Sequence, residues 1–170
     1  MYMTDDKLPD WIVALGDDPE IQAILTQVCA LTGMGFSAIA YVTEDRWIAC
    51  QVEDKIEFGM SPGGELEISK TICDEIRRYG ERVVIDNVGA DPDWWNHPVP
   101  VLYGFNSYLS LPVVLEEGGF FGTLCALDPE PRPQSIMPHV DELVALARRV
   151  AEIFAARMAG GGDAVAGSAA

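Results

Sequence analysis

Apolar residues first recur at helical spacing beyond position 20. Ile21, Ile24, Leu25, Val28 and Leu31 fall on one stripe. Asp18 precedes them as a cap for the free amides, Pro19 suits the first helical position, and Glu20 favours the positive end. Gly33 and Gly35 end the helix. A short apolar run, Trp11–Leu15, lies ahead of Gly16. Phe36–Thr43 and Trp47–Val52 are β-prone runs joined by the polar Glu44-Asp45-Arg46, which predicts a hairpin. Residues 53–68 are ambiguous, with a turn at Pro62-Gly63-Gly64 and a short edge strand at Glu65–Ile68. Thr71 followed by Asp74 has the spacing of a cap, so Ile72–Tyr79 reads as a two-turn helix stopped by Gly80. Val83–Asp86 is a short buried strand. Asn87–Gly104 reads as a long loop, and a loop of that length in a compact domain is more often functional than a plain connection. Phe105–Leu115 and Phe120–Leu127 flank Glu116-Glu117-Gly118-Gly119 as a second hairpin. The proline-rich stretch Asp128–Pro133 ends the sheet.

The last predicted helix is Ile136–Met158. Asp141, Glu142, Arg148, Arg149 and Glu152 share one polar wedge, and most of the remaining circumference is apolar. Packing on one side needs an arc of only about 100°. The surplus, on the side of Leu146, Val150 and Ile153, is therefore expected either to face a partner helix in a homodimer or to sit deep in one groove. Residues 1–16 form an N-terminal segment, 17–158 a single domain, and 159–170 a Gly/Ala/Ser-rich tail expected to be disordered. Hairpins imply an antiparallel sheet and the amphipathic helices need one face of it, so the fold class is α+β. The terminal helices lie behind the sheet. The short helix and the long loop lie in front, where a ligand cavity is expected.

Composition narrows the partners. The 11 Lys+Arg stand against 27 Asp+Glu, a net charge of −16. Affinity for nucleic acid or anionic lipid rests on clustered cations, so neither is expected as a partner. Hydrophobic residues make up 49%, so the acidity is not a mark of disorder. No apolar run reaches the ~18 residues of a membrane span, and the acidic, polar start lacks the basic and apolar regions of a signal peptide. Cys29, Cys50, Cys73 and Cys125 form no C-x-x-C pair and no zinc spacing. The expectation is a cytoplasmic protein with thiols used as small core residues, and no metal.

Several segments together resemble a GAF domain: Gly35–Ala40, Thr43–Cys50, Thr71–Arg77, Tyr103–Tyr108 and Phe121–Pro129. The closest likeness is to the GAF modules of bacterial sensor histidine kinases, over roughly residues 20–158. The resemblance implies a PAS-related antiparallel sheet of about six strands. It also implies a pocket roofed by the short helix and the loop after Asp86. In such modules the terminal helices pair in parallel dimers and pass a signal to an output module. No kinase phosphoacceptor or ATP-binding segment is found here, so the expectation is a stand-alone sensor or a piece of a longer one, with a histidine kinase as output partner.

The expected function is a non-enzymatic sensory domain of a two-component type, binding a small molecule whose identity, like any cofactor, is unknown. The candidate ligand-binding residues are Cys73, Asp86, Trp94, Trp95, His97, Tyr103 and Tyr108. The aromatic rings offer flat walls with polar tips, Asp86, Asn96 and His97 orient a ligand, and Cys73 sits on the roof helix. The other reading of a different kind is a ligand-free dimerisation or interaction module. Free methionine sulfoxide reductase activity needs an accessible thiolate and a second thiol in reach, and Asn87–Phe105, where the resembling reductases carry a catalytic cysteine, contains none. A bilin attached as in phytochrome-like domains is disfavoured because Cys73 precedes Asp74 and His97 precedes Pro98. Haem would have His97 and His139 as axial candidates. A cyclic nucleotide finds no base in Asn87–Gly104.

Overall fold

Asp18 opens the first helix, α1 (Pro19–Thr32), by accepting the amides of Glu20 at 2.9 Å and Ile21 at 3.0 Å. A cap of this kind is worth about 1 kcal/mol. Gly33 closes the helix at φ 73°, a left-handed conformation that glycine adopts without a Cβ clash. The computed structural model describes residues 18–66, 72, 76, 80–115 and 119–169, with backbone alone for Leu66 and for 158–169. The run Trp11–Leu15, the tip of the second hairpin at 116–118, and Cys73 lie outside the described residues.

Six strands follow among the described residues: β1 (Phe36–Val42), β2 (Trp47–Asp54), β3 (Glu65–Leu66), β4 (Val83–Ile85), β5 (Ser107–Val114) and β6 (Phe120–Asp128). They form one sheet in the order β3-β2-β1-β6-β5-β4, with every pairing antiparallel. Both expected hairpins are present, β1–β2 and β5–β6. A bidentate Arg46–Glu65 pair, with both contacts at 2.9 Å, ties the first hairpin turn to the two-residue edge strand β3.

Two bulges set which side chains face which layer. The β1–β2 register shifts between Ile39 and Ala40 of β1, leaving Cys50 of β2 unpaired, so Cys50 and Gln51 both meet the helices behind the sheet. In the β5–β6 pair the shift falls beside Phe121, which turns to the helix side while Phe120 packs in front. At Gly122 a Cβ would lie 1.8 Å from the Ala40 carbonyl oxygen, so β1 and β6 approach here only because this residue is glycine.

The rear core joins Ile21, Leu25 and Val28 of α1, the last helix α3 (Val140–Ala169), and Ile39, Leu109, Leu111 and Leu124 of the sheet. Each such side chain contributes about 1.5–3 kcal/mol on burial. A 3₁₀ turn, Met137–His139, precedes α3, so the regular helix starts later than Ile136. Val150 and Ile153 are buried in this core, and α3 packs against both α1 and the sheet. The wide apolar arc of the last helix is therefore covered largely by the chain itself, the deep-groove alternative. Two ion pairs clip the helices together: Arg157–Asp18 and Arg149–Glu20, both at 2.6 Å.

The helix also runs on to Ala169, where a disordered tail was expected from Ala159. Gly160–Gly162 cost about 1 kcal/mol each relative to alanine, but no proline interrupts them, and a helix already nucleated propagates one bond at a time.

The long segment 87–104 is not a plain loop. It holds a 3₁₀ turn, Val88–Ala90, and a six-residue helix, α2 (Pro98–Tyr103). His97 caps α2 through Nδ1, which accepts the Val99 amide at 3.2 Å, and Gly104 ends it at φ 73°. Proline at the first position and glycine after the last were helix signals that the density of prolines obscured. Ile72 and Ile76 are helical and buried in the front core.

Candidate functional site

The front face of the sheet supplies Phe36, Trp47, Tyr108, Cys125 and Leu127, because these positions alternate with the rear-facing ones. Ile72 and Val99 pack onto them from above. A cavity of about 30 Å³ remains between these layers, bordered by Phe36, Phe58, Tyr103, Phe105, Tyr108 and Leu127. The Phe105 and Tyr108 rings stack, with centroids 4.9 Å apart. Ligand sites usually enclose about 300–1,000 Å³, and even a benzene-sized site needs about 150 Å³. This interior is therefore nearly filled by its own aromatic rings.

Outside it lies a second cleft of about 540 Å³, between loop 56–60 and the end of α2. Phe58, Tyr103 and Leu127 border both spaces. These three side chains are the wall between the cleft and the interior.

The wall stands on a carboxylate. Asp54, the last residue of β2, accepts the amides of Phe58 and Gly59 at 2.9 Å and of Ile56 at 3.2 Å. Desolvation pulls the Asp54 carboxyl upward, but the amides of Phe58, Gly59, Ile56 and Met60 together hold it below its ordinary range. Glu57 takes a left-handed φ of 55° within this turn, and the turn lays Phe58 on Phe36 with centroids 4.8 Å apart. Phe58 was not among the sequence candidates. Its signal was an Asp followed by alternating Ile56, Phe58 and Met60 with Gly59 among them, in a stretch that read as ambiguous.

Of the sequence candidates, Tyr103 and Tyr108 border the interior cavity. Trp94 packs at the edge of the front core and against the His97 ring at 4.6 Å. Trp95 is 63% exposed. Neither tryptophan borders a described cavity, and His97 is spent on capping α2. Asp86 is engaged elsewhere. Its carboxylate accepts the Ser135 hydroxyl and the Ile136 amide, both at 2.8 Å, and so anchors the chain entering α3. Ile85 faces the front core, so Asp86, the next residue, turns the other way, toward Ser135 and Ile136.

The described cysteines are all buried. Desolvation raises the Cys29 thiol and pushes Cys50 up to about 12. Among the described residues no group of three or more His, Cys, Asp or Glu could hold a metal, and no helix is long and apolar enough to cross a membrane.

The family model for the GAF domain matches residues 18–158. The chain belongs to the GAF domain family. Solved structures share the fold. The GAF domain of the Acinetobacter phosphoenolpyruvate-protein phosphotransferase superposes with a TM-score of 0.62 at 18% identity, covering 90% of this chain and 96% of that one. The type II free methionine-R-sulfoxide reductase of Thermoplasma acidophilum gives 0.60 at 12%, covering 83% and 93%. The blue-light absorbing PixJ GAF domain of Thermosynechococcus elongatus gives 0.61 at 13%, covering 93% and 92%. These identities carry the fold alone. No curated protein sequence matches the chain. A sensory or regulatory module is what a GAF domain generically is. One scaffold serving a phosphotransferase, a reductase and a photoreceptor leaves the ligand to this chain's own residues.

Proposed function

We propose that this GAF domain senses a small, flat, uncharged molecule that enters the front cavity by displacing Phe58. The reading rests on one observation: the cleft and the interior share Phe58, Tyr103 and Leu127 as their common wall. Swinging the Phe58 ring outward joins the two spaces and leaves Phe36, Phe105 and Tyr108 as stacking surfaces. The lining is almost wholly apolar and aromatic, which disfavours a charged guest because its hydration would not be replaced. The net charge of −16 adds to this for anions.

The proposed role is non-catalytic, supported by the burial of Cys29, Cys50 and Cys125. The proposed output runs through α3, whose extension toward Ala169, past the part packed on α1 and the sheet, is the proposed homodimer seam and link to a signalling partner such as a histidine kinase. A monomeric mass in sedimentation at micromolar concentration would remove the dimer from this reading.

The filled interior favours a second reading, a ligand-free interaction scaffold. Titration with indole, followed through the aromatic NMR signals of Phe58, Tyr103 and Tyr108, separates the two. A sensor shows saturable shifts at all three rings, and a scaffold shows none at Tyr108.

A further inference from the structure

A cavity of about 610 Å³ lies on the other face, beside the edge of the sheet. Its apolar floor is Leu111 and Val114 of β5 with Val144 and Ala147 of α3. Arg82 and Arg148 line it as well.

These two arginines stand apart from the other described cations. Arg46, Lys55, Arg132, Arg149 and Arg157 each have a carboxylate within 4.0 Å. Among the described residues, Arg82 and Arg148 have none. In a chain where acids outnumber bases 27 to 11, an arginine without a carboxylate is the exception, and both exceptions meet at one cavity. Glu81 also lines the space and pairs with neither arginine. The apolar floor is incomplete: Val114 is 46% exposed.

We propose that this cavity binds an amphiphilic carboxylate. Its head group is held by Arg82 and Arg148, and its hydrocarbon body lies over Leu111, Val114, Val144 and Ala147. The volume falls within the about 300–1,000 Å³ of small-molecule sites. A guanidinium fork matches a carboxylate in two parallel hydrogen bonds, and the weakly hydrated guanidinium tolerates an apolar neighbour. The site does not depend on the front cavity, because Leu111 and Ala147 belong to the rear core. Occupation would press on α3 directly.

Octanoate and its neutral isostere octanamide are the probes, titrated into the full chain and read by calorimetry and by the methyl signals of Val114 and Val144. Octanoate should bind about tenfold or more tightly than octanamide, the effect of hydrogen bonds to a charged group. The double variant Arg82→Gln/Arg148→Gln, checked for an unchanged circular dichroism spectrum, should bring octanoate down to the level of octanamide. Equal binding of the two probes, no methyl shift, or an unaffected double variant would each overturn the site. So would a dimer that the double variant dissolves, which would assign the cavity to a second copy.

Discussion

The Asp54 carboxylate accepts the Phe58 amide at 2.9 Å, and the ring it positions rests on Phe36. Asp54→Ala removes the acceptor for several amides at once. The loop should lose its fixed shape while the sheet stays intact. Faster amide hydrogen exchange at Ile56, Phe58 and Gly59, with unchanged exchange in β1 and β6, is the expected result. The pH dependence follows from the sign of the shift. A carboxyl held below its ordinary range stabilises the loop at pH values above that range and ceases to do so as pH falls through its folded value. Protection of the loop amides, relative to their intrinsic exchange rates at each pH, should therefore be flat from neutral pH downward and fall only below about pH 4, the ordinary carboxyl range.

Gly122→Ala should cost about 3 kcal/mol or more in denaturant unfolding, because the added methyl meets the Ala40 carbonyl and β1 must move away from β6. Gly119→Ala, with nothing within 4 Å of the new Cβ, is the control and should stay within about 0.5 kcal/mol.

Asp86→Ala should lower stability by about 1–2 kcal/mol through the loss of the Ser135 and Ile136 bonds. Ligand-induced NMR shifts at Tyr108 should be unchanged. A loss of those shifts without a loss of stability would return Asp86 to the ligand site.

Cys29, Cys50 and Cys125 should resist alkylation by iodoacetamide at pH 8 in the folded protein and react after unfolding in guanidinium, as read by peptide mass mapping. Labelling of Cys125 in the folded state would mean that the front layer opens far more readily than its packing implies.

Much of the fold was legible because period and punctuation agreed. The α1 stripe, its Asp18 cap and its Gly33 stop all pointed one way, and both hairpins announced themselves by polar turns between β-prone runs. The site was legible only where alternation along one strand decided it. Tyr108 follows from the pattern of β5. Phe58 does not, because its position depends on amides folding back onto Asp54, a local arrangement with no periodicity. Asp86 carries a related ambiguity. A carboxylate at a strand end suits a ligand or a helix entry equally well, and only Ser135 and Ile136, distant in sequence, decide between them. The apolar surplus of α3 pointed outward until α1 was found to cover it.

The central claim is that Phe58 closes a ligand site, and the most direct test is a crystal structure of the Phe58→Ala variant grown with indole. The variant removes a half-buried ring and should cost about 1–2 kcal/mol, which leaves the domain folded. The account predicts indole between Phe36, Phe105 and Tyr108, in the space the ring vacates, with binding tighter than to the unaltered protein. An interior that collapses onto itself with indole absent, or indole held only in the outer cleft against α2, would contradict it.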